Sequence, residues 1–126
     1  MVRTAVLVSG DGTNLQAIIN ALNYGKIKNC QLAAVISSKP NAFALTRARN
    51  AGIPTYVVDY KNFTSRRAFN EAILEKLRSL DIELVVLAGF LVVLGSPVLE
   101  AYENRIINIH PSLVPAFCGE GYFGIR

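Results

Sequence analysis

The sequence predicts an α/β fold, a doubly wound and mostly parallel sheet with helices on both faces, of the Rossmann-like type. Short apolar runs that fit buried strands alternate along the chain with segments of helical periodicity. The composition is 52% hydrophobic and 17% charged, which is richer in apolar residues than an average soluble domain. Strands covered on both faces have this character. No linker or repeat divides residues 1–126, so we expect one domain.

The first strand is predicted over residues 4–9, where an apolar run is stopped by the turn Gly10-Asp-Gly12. Asn14 is expected to cap the helix that follows, and Gly25 to end it. The apolar face of this helix recurs at helical spacing, at Leu15, Ile18, Ile19 and Leu22.

The middle of the chain repeats the alternation. A second strand over residues 32–36 precedes a helix over 42–51, which Asn41 is expected to cap and Gly52 to close. A third strand at 55–58 precedes a longer helix capped by Ser65. The apolar stripe of that helix is Phe69, Ile73, Leu77 and Leu80.

The last part predicts a fourth strand at 84–87, a short helix after Pro97 and a fifth strand at 105–110. Strands that alternate with helices form right-handed crossovers and a parallel sheet. Ligands bind such sheets at the carboxyl ends of the strands. Three segments should therefore converge there: Ser9 to Asn14, Ala88 to Leu94, and Asn108 to Pro115.

Composition excludes several classes of function. No apolar run approaches the roughly 20 residues of a membrane span, and the N-terminus lacks the layout of a secretory signal, so we expect a cytoplasmic protein without a membrane partner. The net charge is +4, but Lys and Arg are scattered, which disfavours nucleic acid. Cys30 and Cys118 lie far apart and the chain has one His, so we expect no metal and two reduced thiols.

The segment Ser9-Gly-Asp-Gly-Thr-Asn14 is typical of a phosphate-binding loop, because glycines allow close backbone approach and the helix N-terminus favours an anion. It differs from a dinucleotide fingerprint, which needs glycine at Leu15 and an acidic residue near Ser38. Lys39 would suit a ribose 2′-phosphate, and no Walker loop occurs. A single phosphate fits best, and a plain strand-to-helix turn is the alternative.

Asn108 and His110 are two positions apart on the fifth predicted strand, so their side chains point to the same face. An amide can stabilise a developing oxyanion, and an imidazole moves protons near neutral pH. The pair suits direct nucleophilic attack on a carbonyl or formyl group, and Cys118 is expected to be passive. A hydrogen-bonded structural histidine is the alternative for His110.

Three motifs together resemble the glycinamide ribonucleotide formyltransferases. They are the first loop with its helix (9–18), Ala88-Gly-Phe90 and Asn108-Ile-His-Pro-Ser-Leu-Val-Pro115, and the resemblance runs from Val2 to about Gly124. The last motif is shared by other formyl-folate enzymes, whereas the first loop is more specific. The resemblance implies formyl transfer from 10-formyltetrahydrofolate to the amine of glycinamide ribonucleotide, in de novo purine biosynthesis.

The resemblance also implies roles by position. Gly12, Thr13 and Asn14 would hold the substrate phosphate, and Arg66 would contact the folate or the ribonucleotide. The run Leu91, Val92, Val93 and Leu94 would line the pterin pocket, largely through backbone groups, and Asn108 would contact the folate there. Asn108 and His110 would act at the formyl carbon. Small-molecule substrates are the only partners implied, with a homodimer left open.

Two departures from the family bear on these roles. Many members have Arg where Val92 stands, and Gly95 lengthens the turn before Pro97. The family also continues beyond this chain, with an aspartate that partners the catalytic histidine, so we expect residues 1–126 alone to be nearly inactive. A formyltetrahydrofolate hydrolase and a non-catalytic phosphate-binding half-domain are the alternative functions, and an oxidoreductase is disfavoured.

Overall fold

The computed structural model describes residues 1–109. These residues form a parallel sheet flanked by helices, as predicted. The strands are β1 (Val2–Val8), β2 (Cys30–Ser37), β3 (Thr55–Val57), β4 (Leu84–Leu87) and β5 (Ile106–Asn108). The helices are α1 (Thr13–Asn23), α2 (Phe43–Asn50), α3 (Arg66–Ser79) and α4 (Val98–Ala101), with a short 3₁₀ turn at Tyr60–Asn62.

The strand order is β3-β2-β1-β4-β5, so the chain winds outward from β1 in both directions. Helices α1 and α2 pack on one face of the sheet with a core that includes Leu15, Ile18 and Leu45. Helices α3 and α4 pack on the other face around Phe69 and Ile73. Both faces are therefore covered, which explains the high apolar content and confirms the doubly wound prediction.

One transverse row of residues crosses all of the described strands near their carboxyl ends. Leu7 of β1 is in register with Ile36 of β2 and with Leu87 of β4. The row continues from Ile36 to Tyr56 on β3, and from Leu87 to Asn108 on β5. Asn108 therefore lies level with the end of the central strand.

The helix caps differ from the predictions in two places. Helix α1 begins at Thr13 with Gly12 as its N-cap, so Asn14 lies inside the first turn and does not cap it. Helix α2 begins at Phe43 with Ala42 as its N-cap, and Asn41 makes no capping bond. At α3 the prediction is confirmed, because the Ser65 hydroxyl accepts a hydrogen bond from the Ala68 N–H at 3.0 Å.

A residue that is distant in sequence takes the place of Asn41 as the hydrogen-bond acceptor at the start of α2. The Ala44 N–H in the first turn of α2 donates to the Gly10 carbonyl at 3.1 Å, so a loop 34 positions earlier supplies the acceptor. The boundaries of four strands also shift: β1 spans Val2–Val8 rather than 4–9, β2 spans Cys30–Ser37 rather than 32–36, β3 ends at Val57 rather than Val58, and β5 begins at Ile106 rather than Arg105. No helix in the described range 1–109 is long and apolar enough to cross a membrane.

Candidate functional site

The glycine loop joins β1 to α1 at the carboxyl edge of the sheet. Gly12 has a φ of 83°, a left-handed conformation that turns the chain into the helix. The Thr13 N–H donates to the Asp11 Oδ1 at 3.1 Å, and the Gly12 carbonyl accepts from the Gln16 N–H at 2.8 Å. The amides of Asn14 and Leu15 lie in the same first turn, where helix geometry supplies no acceptor. This end of α1 can therefore receive an anion.

Helix α2 fixes the position of this loop. The Arg47 Nε donates to the Asp11 carbonyl at 2.7 Å, and the Arg47 guanidinium also reaches the Gln16 Oε1 at 3.4 Å. Its carbon centre lies 5.0 Å from the centroid of the Phe43 ring, in a cation–π arrangement. Together with the bond from Ala44 to Gly10, these contacts hold the loop on both sides of Gly12.

The Ser9 hydroxyl connects three loops. It lies 2.7 Å from the Ser38 hydroxyl at the end of β2, and it accepts a hydrogen bond from the Leu91 N–H at 2.9 Å. Ser9 and Ser38 are both almost completely buried. The segment after β1 and the segment after β4 therefore meet, as predicted from the parallel topology, and the loop after β2 joins them.

A cleft of about 710 Å³ opens beside these loops. Its walls come from the segments that follow β2, β3 and β4, together with the first residue of α3. Three of the four residues predicted for the pterin pocket lie in it, and so does Arg66, whereas Leu94 is buried in the core on the α3 side. The lining residues are Ser38, Lys39, Pro40, Asn41, Asp59, Tyr60, Lys61, Arg66, Leu91, Val92 and Val93.

The cleft combines cationic and apolar groups. Lys39, Lys61 and Arg66 contribute three positive charges, and Asp59 contributes one negative charge. The Asp59 Oδ1 accepts from the Lys61 N–H at 3.1 Å, so this carboxylate also organises the 3₁₀ turn. Leu91 is 71% exposed and Val93 is 63% exposed, so the cleft carries exposed apolar surface. These features suit a ligand that has both an apolar body and anionic groups.

Asn70 holds the far end of the segment that follows β4. It lies on α3 with 1% of its surface exposed, and its Oδ1 accepts a hydrogen bond from the Gly95 N–H at 2.9 Å. Its Nδ2 donates to the Arg66 carbonyl at 2.9 Å. One buried amide therefore connects the turn that carries Arg66 with the loop that forms the opposite wall of the cleft.

Asn108 is exposed at the end of β5, and the Ile109 N–H donates to the Leu87 carbonyl at 3.0 Å. Because Ile107 and Ile109 belong to the core on the α1 side, the alternation along the strand directs Asn108 to the face covered by α3 and α4. His110 lies outside the described residues. The segment 111–115 and Cys118 lie outside them as well.

Sequence reasoning missed several of these residues. Asn70 was detectable as a polar residue at a buried position of the α3 stripe, next to Phe69 and one turn before Leu74. Ser38 to Asn41 follow a parallel strand, and the rule that places ligands at strand carboxyl ends could have included them. The contacts of Arg47 carry no local signal, since its partner Asp11 lies 36 positions away. Within residues 1–109, no group of three His, Cys, Asp or Glu side chains could hold a metal ion.

Together, the doubly wound sheet, the glycine loop at a helix N-terminus and the mixed cleft define a doubly wound α/β protein whose loops and cleft meet at the carboxyl edge of the sheet, where proteins of this class bind their ligands. The formyl transferase family model matches residues 2–123, and the chain belongs to this family. The match covers nearly the whole chain, including all of the described strands and helices.

Individual relatives sharpen the comparison. The chain is 44% identical to the phosphoribosylglycinamide formyltransferase of Haemophilus influenzae, over 94% of this chain and 56% of that protein. It is 42% identical to the trifunctional purine biosynthetic protein adenosine-3 of Gallus gallus, over 94% of this chain and 12% of that protein. Among solved structures, glycinamide ribonucleotide transformylase 1 from Geobacillus kaustophilus superimposes with a TM-score of 0.82 at 39% identity, over 97% of this chain and 64% of that one.

The chain spans about half the length of several of these relatives, for example 56% of the Haemophilus influenzae protein and 50% of the Symbiobacterium toebii transformylase chain. The fold and the family are therefore established for this chain.

Proposed function

We propose that the protein transfers a formyl group from 10-formyltetrahydrofolate to the amine of glycinamide ribonucleotide, in de novo purine biosynthesis. The observation that carries this proposal is the hydrogen bond from the Leu91 N–H to the Ser9 hydroxyl, at 2.9 Å. It joins a loop suited to a phosphate with a cleft suited to an anionic, partly apolar co-substrate. Several relatives are named for this transfer, which supports the same reaction here.

The ribonucleotide phosphate would bind at the start of α1, among Gly12, Thr13 and Asn14. The left-handed Gly12 and the amides of the first turn support this role, since a helix N-terminus favours negative charge. The Thr13 side chain is exposed and available to add a hydrogen bond. Leu15 stands where a dinucleotide fingerprint has its third glycine, so a single phosphate is favoured over a dinucleotide.

The folate co-substrate would bind in the cleft. Its flat apolar ring would lie against Leu91, Val92 and Val93, with backbone groups of this segment forming hydrogen bonds to the ring edge. Arg66 and the two lysines of the cleft would face its carboxylates. Val92 is half-buried, which supports recognition through the backbone at a position where many family members carry Arg.

The reaction needs no covalent intermediate with the protein. The ribonucleotide amine attacks the formyl carbon, a new carbon–nitrogen bond forms, and the carbonyl oxygen becomes an oxyanion. The Asn108 amide would donate a hydrogen bond to that oxyanion. His110 would relay the proton of the attacking amine, by way of water, to the N10 atom of the folate as the old carbon–nitrogen bond breaks.

We also propose that the protein acts in the cytoplasm and that its partners are small molecules. Formate release by water would instead identify a formyltetrahydrofolate hydrolase, and binding without turnover would identify a phosphate-binding half-domain. The first loop and the start of α1, residues 9–18, favour the transferase, because their sequence resembles that of the glycinamide ribonucleotide enzymes. A homodimer is a separate prediction that sedimentation of the purified protein would test.

The test is an acceptor competition. The complete protein, with its intact mass recorded first, is mixed with 10-formyltetrahydrofolate, with and without glycinamide ribonucleotide. We expect loss of the formyl-folate to depend on the amine and to yield formylated ribonucleotide in equal amount. Formate production at a rate that does not depend on the amine contradicts the proposal and identifies a hydrolase. Ligand binding without any product contradicts both enzyme functions.

A further inference from the structure

Residues 91–93 line one wall of the cleft, and the segment 91–95 that contains them is held at each end by a buried polar side chain from another part of the fold. At its start, the Ser9 hydroxyl accepts the Leu91 N–H at 2.9 Å, across 82 positions of sequence. At its end, the Asn70 Oδ1 accepts the Gly95 N–H at 2.9 Å, across 25 positions. We call this segment the cleft wall.

Two of the four apolar side chains of the cleft wall, Leu91 and Val93, contribute little to its position. Leu91 is 71% exposed and Val93 is 63% exposed, so their burial cannot fix the backbone between the two anchors. Leu94 packs into the core and the half-buried Val92 packs against it, which leaves Leu91 and Val93 dependent on hydrogen bonds. The anchor at Ser9 is itself fixed, because its hydroxyl lies 2.7 Å from the Ser38 hydroxyl.

Asn70 relates the two sides of the cleft to each other. Its Nδ2 donates to the Arg66 carbonyl while its Oδ1 accepts from Gly95, both at 2.9 Å. Since Asn70 is 1% exposed and both its bonds are internal, it is a rigid spacer rather than a ligand-contacting group. Displacing it would change the separation between the Arg66 turn and the cleft wall.

We propose that Ser9 and Asn70 are positioning residues for the folate co-substrate, which set the cleft wall and the Arg66 turn at the separation that the co-substrate needs. This inference rests on the proposed function for the identity of the ligand. Neither side chain is required to touch the ligand. Loss of either anchor leaves a backbone N–H without its acceptor and allows the wall to move.

The test separates positioning from general stability with matched variants. Ser9→Ala removes one buried hydroxyl just after β1, and Thr4→Val removes another near the opposite end of that strand, where the Thr4 hydroxyl bonds to the Val2 carbonyl and lies 3.2 Å from the Cys30 Sγ. Asn70→Leu removes both bonds of the amide, and Tyr102→Phe removes a buried bond to the carbonyl of Ile82, which precedes β4 at the amino edge of the sheet. Asn70→Asp keeps the acceptor for Gly95 and loses the donor to Arg66.

In the complete protein we expect Ser9→Ala and Asn70→Leu to raise the KM for 10-formyltetrahydrofolate about fivefold or more, with the KM for the amine changed less than about twofold. Asn70→Asp should give an intermediate rise. Thr4→Val and Tyr102→Phe should lower the Tm and leave both KM values unchanged. If Asn70→Leu does not fold, Ser9→Ala and Asn70→Asp still decide the inference.

Amide hydrogen exchange supplies a readout that is independent of turnover. The Leu91 amide should exchange about tenfold faster in Ser9→Ala, and the Gly95 amide should do so in Asn70→Leu, relative to the two control variants. An unchanged KM together with unchanged exchange overturns the inference while the transferase proposal stands. A parent protein that binds no formyl-folate contradicts the transferase proposal, and with it the identity of the positioned ligand.

Discussion

Gly12 lies so close to Ala44 that a Cβ atom at position 12 would be 2.7 Å from both the Cα and the Cβ of Ala44. Gly12 also has a φ of 83°, a backbone conformation that L-residues other than glycine rarely adopt. Conformation and space therefore both require glycine here. The contact also sets the distance between the first turn of α1 and α2.

Gly12→Ala is expected to lower the free energy of unfolding by about 2–4 kcal/mol, from a left-handed alanine and from overlap with Ala44. It should also weaken binding of the ribonucleotide, because the loop must shift. Gly10→Ala is the matched control, since a Cβ there meets nothing within 4 Å. Urea unfolding and a ribonucleotide titration of both variants check this prediction. Equal effects at the two positions would contradict it.

Arg47→Gln should weaken the substrate phosphate site without removing any group that touches the phosphate. The change breaks the 2.7 Å bond to the Asp11 carbonyl and the cation–π contact with Phe43, so the glycine loop loses one of its two ties to α2. We expect the KM for the ribonucleotide to rise about three- to tenfold, equivalent to a bond worth roughly 1 kcal/mol.

Arg49→Gln is the control for this prediction. Arg49 is exposed on the same helix, and its replacement by Gln removes the same positive charge. Steady-state kinetics at two salt concentrations distinguish a lost tie from a lost charge. If Arg49→Gln raises the ribonucleotide KM as much as Arg47→Gln does, long-range attraction explains the effect and the tie does not.

His110→Ala should lower kcat by about 100-fold or more, the usual contribution of a positioned general acid–base group. Asn108→Ala should lower it by a similar factor, because one donor to the developing oxyanion is lost. Asn20→Ala, an exposed amide on α1, serves as the control. Single-turnover rates with saturating substrates give the comparison. A loss of less than threefold in His110→Ala rules out its catalytic role.

Tyr102→Phe tests the alkaline stability of the α4 side. Burial raises the pKa of the Tyr102 phenol above its ordinary value of 10.0, and the neighbouring Arg78 and Arg105 oppose that rise. A folded-state pKa above the unfolded one means that the folded state binds more protons, so this contribution is complete below about pH 10 and is lost as the pH rises further.

The phenylalanine variant should therefore lose about 1 kcal/mol near neutral pH, from the missing 2.8 Å bond to the Ile82 carbonyl. Its stability should then fall less steeply than that of the parent protein above about pH 10. Urea midpoints between about pH 7 and 11 measure both effects. Parallel curves for the two proteins would exclude the tyrosine as a source of the alkaline decline.

Local patterns predicted the elements of the fold well. The apolar run 84–87 coincides with β4. The Ser65 hydroxyl caps α3 by accepting a hydrogen bond from the Ala68 N–H, three positions later. Both outcomes depend on residues a few positions apart, where propensity and periodicity act. The convergence of Ser9 with Leu91 also followed from the sequence, because parallel topology brings strand ends together.

The errors arose where a distant group replaced a local one. Asn41 failed as a cap because the Gly10 carbonyl already accepts from the first turn of α2. Seven of the eleven cleft residues were not predicted for it, for a related reason, since loops such as those of Lys39 and Lys61 meet the β4 loop only in the folded protein. The roles of Gly12, Thr13, Asn14 and the Asn108–His110 pair stay predictions that the variants above test.

The transverse row that runs from Leu7 through Leu87 to Asn108 has a consequence for substrate choice. Neighbouring strands are held about 4.8 Å apart by their backbone bonds, so two spacings separate the central strand from Asn108 by about 10 Å. The sheet thus fixes the distance between the strand that leads to the glycine loop and the residue proposed to act at the formyl carbon. Changes in loop sequence can alter what binds at either end, but the length of molecule that reaches both ends is set by the backbone.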